Sequence, residues 1–264
     1  MQSNVSQRKA SIGSRLSLAL AGRIESGNIR HSTTIQCYSE FTRGVLSNRY
    51  PQAIGDRATV CPGWIDEQRF LKLDRQDSKR HLPNEWQTSK PVFFTLRRLE
   101  QRMGIETLLE AAQLLNQNGT SFRLLIGGDG SLRPQFQQQV VESGLDECVR
   151  FLGRVPEEDV PLCYAAADCF VLPTRALECF GIIILEAYAA GTPVIATRVA
   201  AIPEIVEHAG KEWLVEPGAP RELAEKMRLV AAGTLSIASE HLRKIVEQYR
   251  STRTLQRLES LCSD

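Results

Sequence analysis

Two carboxylates, Glu178 and Glu186, stand on either side of seven residues within Leu172 to Thr197, LPTRALECFGIIILEAYAAGTPVIAT. A carboxylate can accept hydrogen bonds from two neighbouring hydroxyls, so each side chain suits the vicinal hydroxyls of a sugar. Between them, Phe180, Gly181 and Ile182 begin an apolar run that predicts a helix over 180–190, closed by Gly191. The free amide N–H groups of a helix start favour an anion such as a diphosphate. Carboxylates flanking that start, with Glu186 about two turns inside the helix, describe a site for a diphosphate with a polyol at each side, as in a nucleotide sugar. The plainer alternative is a loop surface charge and a solvated helix residue. Against it, a charge inside IIILEAYAA is poorly placed unless it has a partner or a ligand.

Further cations stand in TLRRLEQRMGIETLL, where Arg97, Arg98 and Arg102 follow a strand-like segment and precede a helix. Fixed guanidiniums at a strand end can grip phosphate oxygens in pairs. IGGDGSLR has Gly128 and Gly130, but Arg133 stands where a dinucleotide fingerprint needs its third glycine. It reads as a tight turn with Ser131 capping the next helix. Gly153, Arg154 and Val155 mark another strand end, with Arg154 open to reading as a surface charge. His31, His81, His208 and His241 are isolated and read as surface residues, and no zinc-ligand spacing or Asp-x-Asp cluster occurs.

These residues need a scaffold, and the apolar pattern supplies one. Short apolar strands 92–96, 122–126, 149–152, 169–172, 193–196 and 213–215 alternate with helices near 105–118, 132–143, 156–167, 180–190, 203–207 and 220–232. Continuous apolar strands separated by helices predict an α/β fold with a doubly wound parallel, Rossmann-like sheet. Such sheets place ligands at the carboxyl ends of their strands. Upstream, the pattern predicts a helix over 14–24 ending near Gly27, a strand over 33–37, a helix over 40–48 capped by Ser39, and a strand over 58–61 turned by Pro62-Gly63. Leu73 to Lys90 reads as an irregular, charged linker, and two helices near 236–249 and 252–261 close the chain.

Composition sets outer limits. With 264 residues, 42% hydrophobic and 24% charged, the chain reads as globular, and a net charge of +1 argues against a bulk electrostatic grip on nucleic acid. Seven cysteines without Cys-x-x-Cys, including Cys148, Cys163 and Cys169 in apolar segments, read as core residues of a reducing compartment. No membrane-length apolar run or signal-peptide order is present, so a cytoplasmic protein is expected, with peripheral attachment at the inner membrane face through an acceptor lipid left open.

ECFGIIILEAYAAGTPVIAT followed by IPEIVE resembles the Glu-x7-Glu block of retaining glycosyltransferases, specifically family 4 of the GT-B fold. The likeness runs from about Ser39 to the C-terminus, with Pro62, Gly63 and Asp66 similar to the interdomain hinge. It implies that residues 1–89 are a remnant of an acceptor domain with hinge and linker, and that 90–264 form the domain that binds the sugar donor. A two-domain relative would carry roughly 100 to 200 further N-terminal residues.

The resemblance also implies roles. Glu186 holds the ribose hydroxyls and Glu178 the transferred sugar near its anomeric carbon. Phe180, Gly181 and Ile182 form the helix start on the diphosphate, and the Gly153-Arg154-Val155 loop offers backbone contacts to the base. Arg98 matches the family's diphosphate arginine. The family's lysine five residues later is here Met103, and Arg102 is expected to reach in instead. Ala200 and Ala201 stand where the family usually has two glycines. The implied activity is metal-independent transfer of a hexose, without a cofactor, from a nucleotide-diphosphate sugar to a glycan or lipid-linked glycan. A different class of reading is a nucleotide-sugar-binding subunit completed by a separate N-terminal domain chain. A third, an epimerase or phosphorylase, has no evident pyridoxal-phosphate lysine.

Overall fold

The computed structural model describes residues 12–71 and 73–263. An N-terminal unit contains α1 (Ile12–His31), β1 (Ile35–Cys37), α2 (Glu40–Arg49), α3 (Pro51–Ile54) and β2 (Ala58–Val60), with β1 and β2 parallel. Among the described residues, Ile29, Cys37, Ile54 and Ala58 form a buried cluster of their own, with Ile35, Leu46, Tyr50 and Val60 packed against it. α1 runs through Gly27 rather than stopping there, since an uninterrupted helical hydrogen-bond ladder tolerates a glycine at a modest penalty. Ser39 caps α2 as expected: its hydroxyl accepts from the Thr42 amide, and the Thr42 side chain accepts from the Ser39 amide.

The segment expected to be an irregular linker is instead ordered. It holds α4 (Arg75–His81), capped by Asp74, and a short 3-10 turn that buries Trp86. Trp86 packs against Phe94 with tilted rings, centroids 5.2 Å apart, and Arg75 pairs with Asp168 across the fold. Its high charge hid a single buried stripe, with Leu82 and Trp86 anchoring it to the large core.

The main body is β3 (Val92–Leu96), α5 (Ile105–Gln117), β4 (Arg123–Gly127), α6 (Arg133–Glu142), β5 (Val149–Gly153), α7 (Val160–Ala166), β6 (Cys169–Leu172), α8 (Ile182–Ala189), β7 (Val194–Thr197), α9 (Ile202–Val206), β8 (Leu214–Val215) and α10 (Pro220–Ala231). α11 (Ser239–Val246) and α12 (Ser251–Ser263) follow, the former shorter than the sequence pattern suggests because residues 247–249 tighten into a 3-10 turn. The strands form one parallel sheet in the order β5-β4-β3-β6-β7-β8. Val92, Phe93, Phe94 and all of β6 and β7 are fully or nearly fully buried, as strands covered on both faces must be.

That strand order decides where a site can form. From β3 the chain winds outward through β4 and β5, then returns to lay β6 on the other side of β3 and winds away through β7 and β8. The reversal lies between β3 and β6, where the loops leaving their carboxyl ends part and open a crevice. The loop after β3 carries the arginines, and the loop after β6 carries Glu178.

Candidate active site

α8 begins two residues later than its apolar run suggests, because Gly181 adopts φ +93 and serves as its N-cap. No side chain caps this end, which leaves the amides of the first turn without a side-chain acceptor. Glu178 lies close to this start: a Cβ built on Gly181 would sit 3.8 Å from the Glu178 Cγ.

The loop before α8 is held by three successive carbonyls. That of Leu177 accepts from Arg102 Nη1 at 3.0 Å, that of Glu178 from the Ala201 amide at 3.2 Å, and that of Cys179 from the Ser39 hydroxyl at 2.8 Å. Each comes from a different element: the turn before α5, the start of α9 and the cap of α2. Leu177 is 73% exposed and takes φ +61, a conformation that an L residue keeps only when its surroundings impose it. The grip on its carbonyl is part of that imposition. Gly104 allows the arginine loop to approach, since a Cβ there would lie 1.7 Å from the Pro173 carbonyl oxygen.

The Glu178 carboxylate accepts from Arg97 Nη2 at 3.1 Å. Both side chains are largely buried, Arg97 at 9% exposure and Glu178 at 18%. The same Nη2 also reaches Thr174 Oγ1 at 3.1 Å and Met103 Sδ at 3.0 Å. Arg98 and Arg102, expected on the diphosphate, do not pair with Glu178. Arg102 clamps the exposed Leu177 backbone, and Arg98 is exposed, within electrostatic reach of Glu100. The cation against Glu178 is therefore Arg97. Sequence placed it in the basic loop, but only the adjacency of β3 and β6 singles it out from its neighbours.

Glu186 is the fifth residue of α8, one turn in rather than two, and its carboxylate accepts from the Tyr164 hydroxyl of α7 at 3.0 Å. Burial raises its carboxyl above the ordinary range, opposed by the Tyr164 hydrogen bond and the Arg69 charge. Tyr164 is fully buried and its phenol stays protonated, pushed up chiefly by burial and then by Glu186. The charge of Arg97 also acts on Tyr164, so the two carboxylate stations share one electrostatic neighbourhood.

Gly128 and Gly130 border this region. A Cβ at either would strike the carbonyl of Arg97 or Leu99, at 1.9 and 2.5 Å. The turn is thus a close backbone approach against the arginine loop, as its glycines suggest. Ser131 does not cap α6 as expected. Its hydroxyl donates to Glu100 at 2.9 Å, and Leu132 occupies the cap without a side-chain bond. Gly153 takes φ +71 and its carbonyl accepts from the Gly128 amide at 2.7 Å, which joins the loop after β5 to the glycine turn. Arg154 and Val155 line a cavity of about 260 Å³ with Leu82, Trp86 and Cys163. Ala200 takes φ +51, a region that glycine occupies with less strain.

With this geometry established, comparison places the chain among known proteins. The family model described as "Glycosyl transferases group 1" matches residues 77–251. The chain belongs to this family. As a member of the glycosyl transferases group 1, it is 41% identical over 114 residues to the O-antigen chain mannosyltransferase B of Escherichia coli, covering 42% of this chain and 30% of that one. It is 31% identical over 189 residues to the GDP-mannose-dependent alpha-(1-6)-phosphatidylinositol monomannoside mannosyltransferase of Mycobacterium tuberculosis, covering 67% and 48%. The aligned part thus spans about half or less of these curated relatives. Its fold matches the sucrose-phosphate synthase of Thermosynechococcus elongatus with TM-score 0.78 at 21% identity, covering 98% of this chain and 63% of that one. It also matches Anabaena HepE in complex with UDP, with TM-score 0.76 at 22% identity, covering 98% and 70%. The expected Rossmann-like sheet of GT-B glycosyltransferases is the fold observed. No helix among the described residues is long and apolar enough to cross a membrane.

Proposed function

We propose that this chain binds a nucleotide-diphosphate sugar and belongs to a retaining hexosyltransferase that acts on a glycan or lipid-linked glycan. The observation that carries the reading is Glu178, fixed through its carboxylate and its backbone beside the uncapped start of α8 at the reversal point of the sheet. A carboxylate held there can orient sugar hydroxyls and support positive charge developing at the anomeric carbon. The first amides of α8, with Phe180, Gly181 and Ile182, meet the diphosphate, and Arg98 and Arg102 add cationic field on the leaving side. Glu186 takes the ribose hydroxyls, and the Gly153-Arg154-Val155 loop borders the base.

On this reading the guanidiniums and the helix start balance the leaving charge, and transfer needs neither a metal nor a cofactor. The acceptor enters from the side of α2, whose cap touches the Glu178 loop. A separate chain that supplies an acceptor-side domain is compatible with this route, and the place of action is the cytoplasm or the inner membrane face. The relative named as a phosphatidylinositol monomannoside mannosyltransferase supports a lipid-linked acceptor.

Calorimetry with UDP- and GDP-sugars tests the binding step, and release of nucleoside diphosphate with and without chelator tests transfer. Saturable binding of one donor class is expected, lost at least about tenfold in Glu178→Ala or Glu186→Ala as charged hydrogen bonds are removed. Affinity unchanged in both variants overturns the site.

A further inference from the structure

Arg97 does more than its sequence position suggests. It is the guanidinium that meets Glu178, yet among the described residues only Nη2 is engaged, toward Glu178, Thr174 and Met103. Nε is buried without a hydrogen-bond partner. Among the described residues Nη1 has no hydrogen-bond partner, and it is not one of the buried unpaired atoms. An arginine carries five N–H donors in a rigid fork, and leaving most of them idle in a largely buried place is expensive unless an acceptor arrives. The Glu178 carboxylate accounts for one nitrogen of the fork. Arg97 follows the carboxyl end of β3 at the sheet's reversal point, and its partner Glu178 lies beside a helix start without a side-chain cap.

Resting on the nucleotide-sugar reading above, we infer that Arg97 is the fixed cation for the diphosphate, holding Glu178 with Nη2 while Nη1 meets a phosphate oxygen. Met103, at the place where a second cation was expected, contributes sulfur contact to this guanidinium instead of charge. Arg102 is occupied on the Leu177 carbonyl and holds the loop. Arg97 therefore acts in two ways. It positions Glu178 so that its remaining lone pairs face the sugar, and it keeps that carboxylate and the leaving diphosphate from repelling each other. Catalysis gains from a cation fixed before the charge develops, and the Thr174 and Glu178 contacts supply that fixation.

The test is a double-variant cycle read by calorimetry on the whole chain, with UDP, GDP and the corresponding nucleosides as probes. Glu178→Gln alone removes the carboxylate charge, and Arg97→Gln is then added to it. The doubly neutral pair can keep a side-chain hydrogen bond and strands no buried charge, so it is the variant expected to fold, checked by circular dichroism. If Arg97 touches the diphosphate, adding R97Q to E178Q weakens nucleoside diphosphate binding about tenfold or more and leaves nucleoside binding unchanged. If Arg97 serves only Glu178, adding R97Q changes nothing, and the inference is overturned while the site reading survives. An equal loss for nucleoside and nucleoside diphosphate also overturns it, as a general disturbance of the pocket. Failure of the wild-type chain to bind either nucleoside diphosphate brings down the site reading and this inference together. Arg97→Lys supplies an independent check: charge retained without the fork is expected to preserve more diphosphate affinity than Arg97→Gln, and equal losses overturn the role of charge.

Discussion

Under the proposed function the demand on Glu186 is double: it stays in a largely buried place and must be ionised to accept both hydroxyls of a diol. Burial raises its carboxyl, so in the folded chain the charged form is penalised relative to the unfolded chain. The sign follows from linkage: this penalty is fully present above the folded value and disappears as pH falls below the unfolded one. Glu186→Gln, which can still accept from Tyr164, is therefore expected to raise the thermal midpoint by a few degrees near neutral pH. The gap should close on acidification, as melts across a pH series would show. The same change should weaken nucleotide binding about tenfold or more. Wild-type affinity should begin to fall at a pH above the ordinary carboxylate range, and calorimetry of the variant should lack that step. A destabilised variant at neutral pH would contradict the assignment of burial as the dominant cause.

Among the elements, α2 is the one whose docking joins the small unit to the site. Glu204 of α9 accepts from the amides of Glu40 and Phe41 at 2.9 and 2.8 Å, so a carboxylate from the main body supplements the Ser39 cap. Glu204→Ala is expected to destabilise the fold by about 1 kcal/mol, since it removes acceptors from a positively polarised helix end. Equilibrium urea unfolding measures this, with Glu204→Gln recovering part of the loss. An unchanged midpoint in Glu204→Ala would show that Ser39 alone satisfies this end. The other ordered element that sequence reasoning missed, α4, was obscured by its composition. Seven residues, RQDSKRH, include five that can carry charge, and only Ser78 is buried within them. Docking is decided outside the helix by Leu82 and Trp86, whose anchoring role no short window of hydrophobic periodicity expresses.

For the whole molecule, the two sheets differ greatly in support. β3, β4, β6 and β7 are central strands of a six-stranded sheet covered by helices, whereas β1 and β2 pair over three residues against a small apolar cluster. Amides that open only with global unfolding should therefore belong to the central strands, while β1 and β2 exchange through cheaper local opening. Hydrogen exchange read by mass spectrometry should show protection lost first in 35–37 and 58–60. Equal protection in both sheets would mean that the Ser39 and Glu204 contacts bind the small unit into one cooperative body.

By itself the sequence determined the order of strands and helices in the main body, the glycine at the start of α8 and the two carboxylates around it. Those features are local: apolar runs, a residue able to take positive φ, and spacing along one segment. Tertiary structure decided which arginine meets Glu178, how far into α8 Glu186 stands, and that α2 caps into the site loop. Arg97 and Glu178 lie 81 residues apart and meet because the sheet reverses between β3 and β6. Adjacency of that kind comes from strand order and packing on both sides of the crevice, which no short window of sequence contains.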